Sequence, residues 1–274
     1  MSPKKLFSLV IVSSLFFPLL AACSASQPLP TATPSPTVVP TQTPTEEMLV
    51  WDYVAIGESI TFDMTARYAE VLEQDLGVTI NFHNWQIPSN HSSRFLEKLR
   101  TNEQLRRDLQ EAEVITFLIP LAVIGDSMRT HALGEPGACG GVDNQDCLRE
   151  GFATYMADTD EIIAEIVSLR NPAEALIRTQ DIWQFKVRET QETGSFEKYN
   201  AYWREANAHV IEVATSYGIP VARVYDAFMG HDGIEDPRDQ GLLQADGLHP
   251  TLEGSNLMAE LFRELGYEFA KGTP

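Results

Sequence analysis

Two serines in this sequence follow an apolar run and a glycine: Ser59 in DYVAIGESITFDMT (Asp52 to Thr65) and Ser127 in LAVIGDSMRTHALG (Leu121 to Gly134). A serine hydroxyl becomes a nucleophile where an imidazole takes its proton, and the imidazole serves best when a carboxylate fixes its tautomer. Of the six histidines, His249 stands in a stretch suited to that role, QADGLHPT (Gln244 to Thr251). Asp246 lies three residues before it, Gly247 permits a tight turn, and Pro250 stiffens the exit. A turn of this D-x-x-H kind brings the carboxylate onto Nδ1 and leaves Nε2 to face a serine. The plainer reading of the same residues is a loop histidine beside a turn-forming Asp-Gly. The other histidines offer less: His83 falls in a strand pattern, His209 in a helix pattern, and His131 and His231 in polar loops.

These groups need a scaffold. Five short runs rich in Val, Ile and aromatics read as buried strands: LVWDYVAI, VTINFHNW, EVITFLIPL, EALIRTQD and IPVARVYD. After the first, Met64, Tyr68, Val71, Leu72 and Leu76 repeat at helical spacing, and Gly77 stops the helix. SSRFLEKLRTNEQLRRDLQEA reads as one further helix, with Phe95, Leu96 and Leu99 as its apolar stripe and Ser92 or Ser93 as its cap. DEIIAEIVSLR, FEKYNAYWREANAHVIEVATSYG and SNLMAELFREL supply three more. Alternation of this kind predicts an α/β fold, a three-layer α/β/α sandwich around a five-stranded parallel sheet of flavodoxin-like order. Active sites then lie at the carboxyl ends of the strands. Ser59 falls there, between an apolar strand and an amphipathic helix, on the sharp turn that exposes a nucleophile. Ser127 runs instead into MRTHALGEPGACGG, whose glycines, proline and lack of periodicity predict no helix.

Gly57-Glu58-Ser59-Ile60-Thr61 and Asp246-Gly247-Leu248-His249-Pro250 together resemble the first and last blocks of the SGNH (GDSL-type) hydrolases, G-D-S-[IL]-T and D-x-x-H-P. The resemblance extends across the domain. HNWQIPSNHSSRFLEKL stands in the second block's place, EVITFLIP as the third strand, and CGGVDNQDCLRE as an insertion seen in some extracellular members. It implies the SGNH hydrolase fold, with Ser59 as nucleophile, His249 as base and Asp246 as its orienter, acting on ester or acetyl groups. Backbone N–H groups of Ser59 and Ser89 would hold the oxyanion. Three departures stand out. Glu58 replaces the family's aspartate, and Ser89 replaces a glycine. The third block's G-x-N-D is absent: in the direct register Pro120 and Ala122 replace its glycine and asparagine, and in a shifted register Asp126 stands where the asparagine would be. Either register removes the side-chain amide that stabilises the oxyanion, a loss typically of about 100- to 1,000-fold in rate. Asn84, Gln86 and Asn90 in the second loop are the candidate substitutes.

The remaining features concern location. Lys4 and Lys5 precede an apolar run, Leu6 to Leu20, of signal-peptide length, and Leu20-Ala21-Ala22-Cys23 has the form of a lipobox. The expectation is a lipoprotein signal over 1–23, lipidation of Cys23, a disordered Pro/Thr/Ser-rich linker over 24–47, and an esterase-type domain over 48–274. The expected protein is therefore extracytoplasmic, held to the membrane by its N-terminal lipid alone. In that compartment Cys139 and Cys147, an even pair in a Gly-containing loop, predict a disulfide. A net charge of −19 argues against a nucleic-acid partner. No metal-ligand cluster or phosphate loop calls for a metal or cofactor, and a monomer is expected. Two functions follow: a serine esterase acting on a small ester, acylated glycan or lipid, or an impaired module of the same fold that binds carbohydrate or lipid.

Overall fold

The computed structural model describes residues 48–88, 90–135 and 137–269. The expected signal segment with Cys23, the linker and Ser89 lie outside the described residues. Five strands, β1 (Val50–Ile56), β2 (Thr79–Asn84), β3 (Val114–Phe117), β4 (Leu176–Gln180) and β5 (Val221–Ala222), pair entirely in parallel in the order β2-β1-β3-β4-β5. This is the flavodoxin-like order. The central strands are apolar runs because helices cover both faces: β3 and β4 are buried along their whole length.

Helices α1 (Phe62–Leu76) and α9 (Leu252–Glu264) pack together on one side. On the other, α2 (Ser92–Thr101), α3 (Glu103–Glu111), α4 (Ala122–Leu133), α5 (Asp146–Leu169) and α7 (Phe196–Ser216) form a second layer. The short α6 (Val187–Glu192) and α8 (Val224–Met229) follow β4 and β5. In α1, Met64, Tyr68, Val71 and Leu72 are buried as their spacing predicts, and Gly77, in the left-handed region at φ 66°, donates its N–H to Glu73 O to end the helix.

Several elements differ from the sequence-based expectation. The single helix expected over 92–112 breaks at Asn102, whose extended backbone and side-chain carbonyl, accepting Leu105 N–H at 2.9 Å, start α3 afresh. Neither Ser92 nor Ser93 caps α2: His91 holds that place, and the Ser92 hydroxyl donates to Asp158 on α5. The helix expected from Asp160 begins at Asp146, since Leu148, Phe152, Tyr155 and Thr159 extend the same buried stripe toward Ile162 and Ile166. The last strand is two residues long, because the Asp181 carboxylate accepts Tyr225 N–H at 2.7 Å and turns the chain into α8.

Segment 121–134 also departs, and with it the reading of Ser127. It is helix α4, and Ser127 lies mid-helix with its hydroxyl donating to Val123 O at 2.8 Å. The side chain is wedged against α5: a Cβ at Gly151 would sit 1.8 Å from Ser127 Oγ. A small residue on each helix allows this close crossing, so the packing of α4 depends on the absence of bulk rather than on an apolar period. Cys139 and Cys147 are joined in a disulfide that closes the loop ahead of α5.

Candidate active site

Chain direction across the sheet reverses between β1 and β3, and the crevice beyond their carboxyl ends is where such sheets bind ligands. Ser59 opens the turn there. Ile56 ends β1, Gly57 and Glu58 cross over its end, and a single 3-10 turn, Ser59–Thr61, leads into α1. Gly57 is required by space: a Cβ there would lie 2.6 Å from Thr61 Oγ1 and 3.5 Å from Leu118 Cβ.

The turn over 244–250 comes from the far end of the domain. Its stem is fastened by Thr251 N–H to Leu242 O and Gln244 N–H to His249 O, with Gly247 in the left-handed region at φ 65°. Asp246 Oδ1 accepts the N–H groups of Leu248 and His249, each at 3.0 Å, which aims Oδ2 at the ring. His249 Nδ1 is 2.7 Å from that Oδ2, and His249 Nε2 is 3.0 Å from Ser59 Oγ across 190 residues of sequence. Partial burial pushes the Asp246 carboxyl up, but the hydrogen bond from His249 and the two backbone N–H groups outweigh it and hold the carboxyl below the ordinary range. An ionised Asp246 selects the tautomer with the proton on Nδ1, so Nε2 is the acceptor facing the serine. Ser59, His249 and Asp246 are thus brought together, whereas Ser127 is buried between α4 and α5 with no histidine among its hydrogen-bond partners.

Two loops flank the serine. In the β2–α2 loop, Trp85 N–H donates to Ala55 O and Ile87 N–H to Gly57 O, continuing the β1 ladder past the strand. Buried Gln86 is engaged at both ends of its amide: the nitrogen donates to Thr61 Oγ1 at 2.6 Å and the oxygen accepts from Thr65 Oγ1 at 3.1 Å. Gln86 therefore ties the loop to α1, with one of its two amide hydrogens committed to Thr61. Asn84 Oδ1 accepts Gln86 N–H. In the β3–α4 loop, Leu118 N–H donates to Ile56 O, Leu121 pairs with His91, and Ala122 N–H donates to Asn90 O at 3.3 Å. This sets Ala122 at the site's edge and Asp126 one turn away, where its carboxylate meets His91 Nε2 at 3.3 Å and Arg129. Neither Ala122 nor Asp126 carries a side-chain amide.

Glu58 has a role that its sequence position did not signal. Its side chain is buried, and Oε1 accepts Leu121 N–H, linking the Ser59 turn to the β3–α4 loop. Burial raises its carboxyl to about 7, with the Leu121 hydrogen bond opposing the rise. A titrating carboxyl therefore sits one residue from the serine. Among the described residues no group of three or more His, Cys, Asp or Glu is arranged to hold a metal, and no helix is long and apolar enough to cross a membrane.

No protein-family model matches the chain, and no curated protein matches its sequence. Solved structures do. A lipase from a goat rumen metagenome superposes with a TM-score of 0.62 at 17% identity, covering 81% of this chain and 100% of that one. A GDSL-like lipase from Parabacteroides merdae gives 0.56 at 15% identity, over 79% and 95%. The acetylxylan esterase Axe2 from Geobacillus stearothermophilus gives 0.54 at 17% identity, over 81% and 97%. At these identities the likeness is one of fold.

Proposed function

We propose that this chain, which has the SGNH (GDSL-type) hydrolase fold, is a serine esterase using Ser59, His249 and Asp246. The observation that carries the proposal is the relay from Asp246 Oδ2 through His249 to Ser59 Oγ, at 2.7 and 3.0 Å. In the reaction, His249 Nε2 takes the hydroxyl proton as Ser59 Oγ attacks the ester carbonyl. Asp246 stabilises the imidazolium without taking its proton. Collapse of the tetrahedral intermediate expels the alcohol, which leaves with the proton from Nε2, and the acyl group stays on Ser59. Water, deprotonated by the same nitrogen, then releases the acid and restores the serine.

The oxyanion would be held by backbone N–H groups, that of Ser59 and, by the family pattern, that of Ser89. With Ala122 in place of an asparagine, one donor fewer faces the developing charge, so the enzyme is expected to be slow for its class. That same alanine is the observation favouring the second reading, a catalytically impaired module that binds carbohydrate or lipid. The substrate class is an ester of the kinds named for the similar structures, which include lipases and an acetylxylan esterase. The lipobox-like Leu20-Ala21-Ala22-Cys23 supports a domain tethered outside the cytoplasm through Cys23, and Cys23→Ala should then release it from membranes.

Fluorophosphonate labelling, with the modified residue located by mass spectrometry, tests the esterase. Label and p-nitrophenyl acetate hydrolysis are expected on wild type, to vanish together in Ser59→Ala and His249→Ala, and to survive in Ser127→Ala. A wild-type protein that neither labels nor hydrolyses favours the binding module.

A further inference from the structure

Asp246 and His249 are both partly exposed, their side chains 47% and 35% accessible. Hydrogen bonds within the turn close it upon itself but do not fix its direction relative to Ser59, which belongs to the opposite end of the chain. Something outside the turn must do so. At its tip, Lys186 N–H donates to Gly247 O at 2.9 Å, and Arg238 Nη1 reaches Ala245 O at 3.5 Å. Gly247 lies directly on the guanidinium: a Cβ there would be 3.0 Å from Nη1 and 3.2 Å from Cζ.

The guanidinium itself is immobilised on two sides. Nη1 and Nη2 donate to the two Glu189 carboxylate oxygens at 2.8 and 2.7 Å. Nε donates to both Asp236 oxygens at 3.0 and 3.1 Å, and Nη2 to Asp236 Oδ2 at 2.9 Å. Arg188 closes the cluster, 3.3 Å from Asp236 and 2.7 Å from Asp239. The Arg238 and Asp236 side chains are 8% and 5% exposed, so this central pair is shielded, while Glu189, Arg188 and Asp239 reach solvent around it. Hydrogen bonding to Glu189, and then to Asp236, favours the charged form of Arg238. Glu189 and Asp236 more than neutralise the cation, and what it presents to the turn is the guanidinium surface under Gly247, so its influence on His249 is argued through shape.

We propose that Arg238 is a positioning residue for catalysis: clamped by Glu189 and Asp236, it is the plate on which Gly247 rests, and it sets the direction in which Asp246 presents His249 to Ser59. The proposal rests on the Ser59–His249–Asp246 reading and adds to it a residue outside both motifs. A planar fork with five donors can hold two carboxylates and still offer a flat face, which an ammonium cannot. Arg238→Lys should therefore preserve charge and lose the plate.

The expected result for Arg238→Lys is a kcat reduced on the order of 10- to 100-fold with KM within about twofold, as for a small misplacement of reacting groups. The His249 Nδ1 proton, seen as a downfield NMR signal in wild type, should broaden or vanish in the variant. Glu189→Gln, at a half-exposed side chain, loosens one arm of the clamp and should show both effects at smaller amplitude; it carries the test if the lysine variant does not fold. Wild-type kcat together with an unchanged Nδ1 signal in the folded variants overturns the proposal. The NMR signal needs no turnover. If wild type proves inactive, the esterase reading fails while the signal still decides whether Arg238 positions His249.

Discussion

Replacing Glu58 by glutamine separates the burial of this carboxyl from its shape. Glutamine keeps an oxygen that can accept Leu121 N–H but cannot ionise. The rise of the Glu58 carboxyl from 4.5 to about 7 corresponds to about 3 kcal/mol at 1.36 kcal/mol per pKa unit. The sign follows from linkage. Below pH 4.5 the carboxyl is neutral in folded and unfolded chains alike, and the fold bears no penalty. Between 4.5 and about 7 the unfolded chain releases its proton before the folded one, so stability is lost as pH rises through that window. Above pH 7 the full penalty is present. Glu58→Gln should thus match wild type near pH 4.5 and exceed it by up to about 3 kcal/mol at pH 8. Urea unfolding at pH 4.5, 6 and 8, followed by tryptophan fluorescence, gives the difference at each pH. A difference that stays constant across the three would refute the burial of a titrating carboxyl beside Ser59.

Asp246→Asn should leave the turn closed but invite the wrong imidazole tautomer, lowering kcat by about 10⁴-fold with little change in melting temperature. Gly57→Ala forces a methyl against Thr61 Oγ1 and should destabilise the domain by about 1–3 kcal/mol, read by urea denaturation, and reduce hydrolysis further by tilting the Ser59 turn. Ala122→Asn offers an amide at the edge of the site, and p-nitrophenyl acetate turnover should rise; an unchanged rate would mean that another group already holds the oxyanion. Reducing Cys139–Cys147 should lower stability by about 2–3 kcal/mol on the chain-entropy account of a short loop, and thiol counting on unfolded, unreduced protein should find neither cysteine free.

The sheet was legible because a strand buried on both faces must be a continuous apolar run, and because alternation with helices leaves few strand orders. The turn that carries His249 was legible for a local reason: it follows from the spacing of Asp246, Gly247 and His249. What escaped depends on contacts distant in sequence. Helix α4 shows almost no apolar period, burying only Ile124 and Ser127, since its fit against Gly151 of α5 relies on smallness. Gln86 looked like a free amide until Thr61 and Thr65 were seen to take both its ends. Glu58 stood out in the sequence only as a replacement for aspartate, and the approach of Leu121 N–H shows the longer side chain reaching across to the next loop.

The 190-residue separation of Ser59 and His249 has a consequence for biosynthesis. A nascent chain can pair β1 with β2 and β3 long before the histidine has been translated, so the Ser59 turn waits unpartnered through most of synthesis. His249 arrives with the segment leading into α9, and α9 then locks onto α1: Arg263 grips Asp75 at 2.8 and 2.7 Å, and the Phe262 ring lies 5.5 Å from that of Tyr68. Contacts of such long range form late, because loop closure must be met before they give anything back. Serine reactivity should accordingly appear only with the last step of folding, and a partly synthesised or C-terminally clipped chain would be inert toward esters it meets on the way.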